Sequence, residues 1–173
     1  AAREIDLGHA RVWTIRRSFL GELGYELLTP TEFSAHVYEG LMAVGKPLGL
    51  RLAGMFALGA CRLEKAFRHF GHDIGEEDTP YETGLGFAVK LDKPDFVGKA
   101  ALAKQKADQG AATRHRTVAI LVEGATAETG PYLMHNEPIW RDGAIVGHVT
   151  SGGWGWRLSA MLGLASLHQD DGV

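Results

Sequence analysis

The stretch GELGYELLTPTEF, Gly21 to Phe33, decides how this chain folds. Strand-like composition at Tyr25, Leu27 and Leu28 passes straight into a helix start. There Thr29 stands as an N-cap, Pro30 at the first helical position, and Glu32 completes a capping box. Phe33, Val37, Leu41 and Val44 then recur at helical spacing, with Tyr38 and Met42 widening the apolar stripe until Gly45 and Pro47 end it. Glu22 fits this pattern poorly. It sits between Gly21 and Leu23, where a half-buried strand favours an apolar or β-branched residue. A carboxylate at that place either faces water or holds a group that donates hydrogen bonds.

On the N-terminal side, Arg11 to Phe19 alternate. Trp13, Ile15, Arg17 and Phe19 fall on one side and Val12, Thr14, Arg16 and Ser18 on the other, which predicts a hairpin or two neighbouring strands. On the C-terminal side, RLAGMFALGACRLEKAF reads as a buried helix weakened by Gly54 and Gly59, giving way near Cys61 to an extended segment. GHDIGEEDTPYETGLG follows as a polar loop. FAVKLDKPDFVGKAALAKQKA then predicts a short strand, a turn at Lys93–Pro94 and a helix from about Gly98 to Ala107. Beyond DQGAAT come a strand at RTVAILVEG, a hairpin with PIW and AIVGHVT flanking RDG, and a last strand at MLGLASL. The chain therefore reads as an α+β piece over residues 1–97 and a mostly β piece, a barrel or sandwich, over 98–173.

Composition narrows the classes. Of 173 residues, 45% are hydrophobic and 23% charged, with a net charge of −3. That excludes disorder, and the absence of a basic stripe argues against nucleic acid as a partner. Glycine, at 23 residues, is well above the roughly 7% of average usage and marks tight turns or close backbone approaches. Cys61 is the single cysteine, so no internal disulfide forms and a cytoplasmic, reducing setting fits. The most apolar region, 41–61, is broken by Lys46, Pro47 and Arg51, which argues against a membrane partner. The opening AAREIDLGHARVW and the closing HQDDGV read as cuts within a longer protein.

Several constellations compete for a chemical role. His69, His72, Asp73, Glu76 and Glu77 are metal-ligand types, but their spacing matches no pattern that fixes one helical face. A polar loop with a histidine packed on Phe70 is the favoured reading, and no metal is assigned. Cys61, in an apolar run beside Arg62, reads as a small core residue. GLGF at 84–87 lacks the strand, turn and helix order of a dinucleotide site. In TSGGWGW, Trp154 and Trp156 either stack on a planar ring or plug one end of a barrel. Arg62 and Glu64 form either a buried polar pair or a surface ion pair of little worth.

Taken in order, GELGYEL with its following helix, RLEKAFRHFGHD, TPYETGLGFAVKLDKPDFVGKAAL and IWRDGAIVGHVTSGGWG resemble the C-terminal half of the aminomethyltransferase (glycine-cleavage T-protein) superfamily. RLEKAFRHFGHD and KLDKPDFVGKAAL resemble the version fused to dimethylglycine and sarcosine dehydrogenases and oxidases. The resemblance implies a ferredoxin-like folate-binding α+β part followed by an antiparallel β-barrel whose final strands are cut off here. It implies tetrahydrofolate as cofactor, with FAD confined to an N-terminal part of the parent outside this chain. The implied chemistry transfers a methylene group from a small N-methyl amine, giving 5,10-methylenetetrahydrofolate.

The same resemblance places Glu22 at the glutamate that holds the pterin, Tyr25 at the motif's aromatic position, Phe19 where relatives often have tyrosine, and Arg62 within the RLE motif. Leu58 stands where many T-proteins carry a folate-holding arginine, so that role is not carried over. The family's catalytic aspartate lies in the N-terminal half, so no catalytic residue is assigned. A relative serving iron–sulfur-cluster assembly is the alternative, but its K-G-C-[YF]-x-G-Q-E segment lacks both its cysteine and its glutamine in RRSFLGELGYE. A truncated barrel would expose a strand edge and favour a homo-oligomer.

Overall fold

The alternation read over Arg11–Phe19 forms a strand only as far as Ile15, where Ala10 and Val12 are buried and Trp13 is half exposed. In the computed structural model, which describes residues 2–108 and 113–168, this strand is β2. It lies between β1 (Ala2–Leu7) and β3 (Glu26–Leu28) in an antiparallel sheet of order β1-β2-β3. The chain divides into two units, residues 1–65 and 66–173. The core of the first is Ala10, Val12 and Val37, with Leu7, Leu27 and Phe33 packed against it.

Helix α1 (Ser34–Gly45) follows a short 3-10 turn at Thr31–Phe33 and supplies Val37. It ends as the sequence predicts, in a second 3-10 turn containing Pro47. Its start differs. Pro30, with ψ 141°, takes the cap position, no side chain caps the turn, and the Thr29–Glu32 capping box does not form. Pro30 is extended, so the first turn opens one residue later than expected and its cap has no side-chain acceptor.

Helix α2 (Met55–Leu63) is present, but the expected burial is confined to its last turn, at Arg62 and Leu63. Phe56 is 97% exposed and Cys61, one step round the helix from Arg62, is exposed and not a core residue. No described helix is long and apolar enough to cross a membrane.

In the second unit the predicted strand near Phe87 is absent, and Gly86–Ala88 form a 3-10 turn. The segment folds back instead of pairing. Lys99, at the start of α3 (Lys99–Ala107), donates its ammonium to the carbonyls of Lys93 and Pro94. Strands β4 (His115–Val122), β5 (Pro138–Arg141), β6 (Ala144–Gly155) and β7 (Ala160–His168) form an antiparallel sheet of order β4-β7-β6-β5. The β5–β6 hairpin turns on Asp142 and Gly143, both at positive φ, as a type I′ turn requires. Val146, Val149, Met161, Leu162, Leu164 and Ala165 are the buried apolar residues of this sheet. The molecule is thus α+β with two antiparallel sheets.

Two devices fasten loops within this second unit. The first is a β-bulge in β6. Val149 pairs with Ala165 and Ser151 with Leu164, so Thr150 is the extra residue. A bulge lets two consecutive side chains address one side of a strand. Here Thr150 and Ser151 both donate to the same oxygen of buried Asp73, at 2.8 and 2.5 Å. The other Asp73 oxygen accepts the His69 N–H at 2.8 Å.

The second device is Glu82, whose side chain is 1% exposed. It accepts the Thr79 N–H at 2.8 Å, the Arg114 N–H at 2.9 Å and the Arg114 Nε at 3.3 Å. The Thr79 hydroxyl accepts the Glu82 N–H at 3.4 Å, completing a reciprocal capping box. Burial works against the charge, but the hydrogen bonds from Arg114 and Thr79 outweigh it and hold the Glu82 carboxyl at about 2.

Glu82 therefore stabilises the fold fully above its ordinary value of 4.5, and that contribution drains away as pH falls from 4.5 towards about 2. Denaturant melts at stepped pH should show wild type losing stability across that window, while Glu82→Gln, lower by about 2–4 kcal/mol at pH 7, loses less across it. Gly152 makes a separate test, because a Cβ there would lie 2.2 Å from the Leu133 carbonyl oxygen. Gly152→Ala is expected to cost about 1–3 kcal/mol by the same melts, the shift needed to relieve a backbone clash.

Candidate functional site

The segment between β2 and β3 contains Glu22, and it is irregular, not the strand its composition suggests. The strand stops at Ile15, whose carbonyl accepts the Arg17 N–H at 3.0 Å in a tight turn. The Ser18 hydroxyl accepts the Leu20 N–H at 3.1 Å, and Gly21 takes φ +68°, a left-handed conformation suited to glycine. Pairing resumes at Glu26, opposite Ile15. Glu26 also accepts from Arg17 Nε at 2.6 Å, clasping the base of the loop, and this bond raises the Arg17 pKa further.

Arg16, Arg17, Ser18, Glu22, Leu23 and Gly24 line a pocket of about 290 Å³. That volume is at the lower edge of the ~300–1,000 Å³ range of ligand pockets. Its lining residues include one acidic residue, Glu22, and two arginines, Arg16 and Arg17. A carboxylate accepts a pair of N–H donors, and guanidinium groups attract negative charge. The pocket is therefore suited to one planar edge rich in N–H groups carrying an anionic extension.

The last turn of α2 holds this loop in place. Arg62 is 6% exposed and its guanidinium carbon lies 5.9 Å from the centre of the Phe19 ring. One turn on, the Lys65 ammonium donates to the Leu20 carbonyl at 3.3 Å and to a Glu22 carboxylate oxygen. The structure thus brings Phe19 to Arg62, and Glu22 to Lys65. Tyr25 is 60% exposed and is not among the pocket-lining residues. Lys65 is the residue that reading the sequence missed. Its signal was the RLEK spacing, which places Arg62 and Lys65 three apart on one helical face.

The histidines of the second unit are arranged differently from the expected packing on Phe70. His72 stacks on His135, with ring centres 4.3 Å apart and planes within 19°, and Phe70 is 64% exposed. A polar pocket of about 430 Å³ is lined by His72, Asp73, His115, His148 and His168 among others. Burial lowers the His148 pKa, and His135, His168 and His115 push it the same way. Among the described residues no group of three or more histidine, cysteine, aspartate or glutamate side chains is placed to hold a metal ion. Of the two tryptophans, Trp156 is 73% exposed in the turn after β6.

Residues 1–93 match the GCVT N-terminal domain, and residues 115–172 match the glycine cleavage T-protein C-terminal barrel domain. The chain belongs to the glycine cleavage T-protein family. It is 41% identical over 97% of its length to a 4-methylaminobutanoate oxidase (formaldehyde-forming) from Paenarthrobacter nicotinovorans. It is 40% identical over 94% of its length to the mitochondrial dimethylglycine dehydrogenase of Mus musculus. It is also 37% identical over 93% of its length to an aminomethyltransferase from Halothermothrix orenii. It spans 20%, 18% and 43% of those three proteins respectively.

The crystal structure of the glycine cleavage system aminomethyltransferase T from Bartonella henselae shares the fold. The TM-score is 0.75 at 22% identity, over 94% of this chain and 43% of that one. This T-protein family member is therefore similar to aminomethyltransferases and to dehydrogenases and oxidases of N-methyl amines, all named for enzyme activities.

The Arg62–Phe19 contact generates a test of how the loop is held. Arg62→Met removes the cation but keeps much of the side chain's length. Thermal melts should show it about 1–3 kcal/mol less stable, while Arg62→Lys, which keeps the charge over the ring, loses less.

Proposed function

We propose that this chain is the tetrahydrofolate-binding, one-carbon transfer module of a flavin-dependent N-demethylating enzyme of the dimethylglycine or sarcosine dehydrogenase kind. The observation that carries the proposal is the Glu22 carboxylate at the rim of a small pocket, held on an irregular loop by the end of α2. A pterin presents an amino group beside a ring N–H, and a carboxylate accepts both in a bidentate pair. The pocket is large enough for that bicyclic edge and too small for a whole folate.

Glu22 orients the pterin and moves no proton. Phe19 presents a ring steadied by Arg62, and Tyr25 offers a second aromatic surface nearby in the chain. Arg16 attracts the anionic tail at the pocket rim. Bound tetrahydrofolate supplies the amine nitrogens that take up the one-carbon unit, giving 5,10-methylenetetrahydrofolate. Oxidation of the small N-methyl amine belongs to a flavin unit outside this chain. The similarity to enzymes of which this chain spans about a fifth supports that division. A lone cysteine fits a cytoplasmic setting.

Glu22→Gln in the full-length enzyme keeps the shape of the side chain and removes its charge. Calorimetric titration with a reduced folate should show binding weaker by about 1.5–3 kcal/mol, the worth of one charge-assisted hydrogen-bonded contact. Unchanged affinity moves the pterin site away from Glu22.

A further inference from the structure

We propose that Lys65 is a positioning residue for the ligand-holding carboxylate. It fixes Glu22 in its working orientation by tying it to the Leu20 carbonyl two residues earlier. This rests on the reading of Glu22 as the pterin anchor, and it names the residue that makes that anchor effective.

The loop from Arg16 to Tyr25 carries no strand ladder, so the direction of the Glu22 side chain is not set by a pleat. Gly21, with φ +68°, and Gly24 leave the backbone on either side of Glu22 adaptable. An unrestrained glutamate here would have two guanidinium groups, Arg16 and Arg17, lining the same pocket as competing partners. Such a pairing would turn the carboxylate towards a planar guanidinium and away from the ligand. Two observations show how the structure prevents it. Arg17 is engaged by Glu26 at 2.6 Å. Lys65 reaches over from the turn after α2, itself closed by a Lys65 N–H bond to the Arg62 carbonyl at 3.2 Å, and bonds both Glu22 and Leu20.

Stability does not account for this contact. The Glu22 side chain is 45% exposed and that of Lys65 29%, and ion pairs so open to water contribute little to folding. Their effect is on orientation. An ammonium has three rotatable donors, so it bonds a carbonyl and a carboxylate oxygen at once without demanding a planar partner. The lysine thereby leaves the carboxylate aimed and already ordered, and binding need not meet that entropy cost again.

The test is a double-mutant cycle in the full-length protein, with 5-formyltetrahydrofolate as the calorimetric probe and thermal melts beside each titration. Lys65→Met is expected to raise Kd about tenfold with little change in melting temperature, and Lys65→Arg to restore most of the affinity. In the Glu22→Gln background the same Lys65→Met change should raise Kd less than about twofold, because the group it positions is no longer a carboxylate. An equal loss in both backgrounds, or no loss in either, overturns the proposal while leaving Glu22 as the anchor. Normal binding by Glu22→Gln alone overturns the anchor reading, and Lys65 falls with it. Should Lys65→Met fail to fold, Lys65→Gln run through the same cycle decides by the same criteria.

Discussion

Backbone N–H and C=O groups that leave a strand or helix must still find partners, and in this protein charged side chains supply them. Glu82 takes the N–H groups of Thr79 and Arg114. Asp73 takes that of His69. Lys65 serves the Leu20 carbonyl, and Lys99 those of Lys93 and Pro94. Each ties down a loop with few ladder bonds, and these loops carry the stretches RLEKAFRHFGHD, TPYETGLG and KLDKPDFVGK. A chain rich in glycine and short in regular structure thereby keeps defined loops without a large apolar core beneath them.

The functional consequence is clearest around Glu22. A residue on a ladder has its direction set by the pleat, whereas a residue on a loop is aimed by whatever touches it. Arg62 leaves the last turn of α2 and Lys65 the turn just after it, one meeting the Phe19 ring and the other the Glu22 carboxylate. Cations suit that end of a helix, where unsatisfied carbonyls carry partial negative charge. One helix end thus holds a loop at two points three residues apart.

In the second unit the bulge at Thr150 does comparable work. Without the extra residue, Thr150 and Ser151 would face opposite sides of β6, and one hydroxyl at most would reach Asp73. With it, a buried carboxylate takes both hydroxyls and a backbone N–H. The aspartate that has the residue type of a metal ligand is instead a hydrogen-bonding node.

Much of the architecture was legible in the residues. Alternation at Ala10–Ile15, the apolar stripe of α1 and the Asp142–Gly143 turn follow from side-chain periodicity and backbone sterics, which act within a few residues. Burial and partner choice were not legible, because they depend on residues far away in the chain. The tetrads Thr29-Pro-Thr-Glu32 and Thr79-Pro-Tyr-Glu82 share one local signature. In the first, Glu32 is exposed and no capping box forms. In the second, Arg114, 32 residues on, closes over the carboxylate and the box forms. Lys65 and Glu22 are 43 residues apart, and no spacing rule links them. The sequence by itself determined most of the strands and helices, though not β1 or the 3-10 turn at Gly86–Ala88, and that a carboxylate stands out at position 22. The tertiary structure alone decided which charges are buried and what each one holds, since a hydrogen bond depends on distance in space and not on distance along the chain.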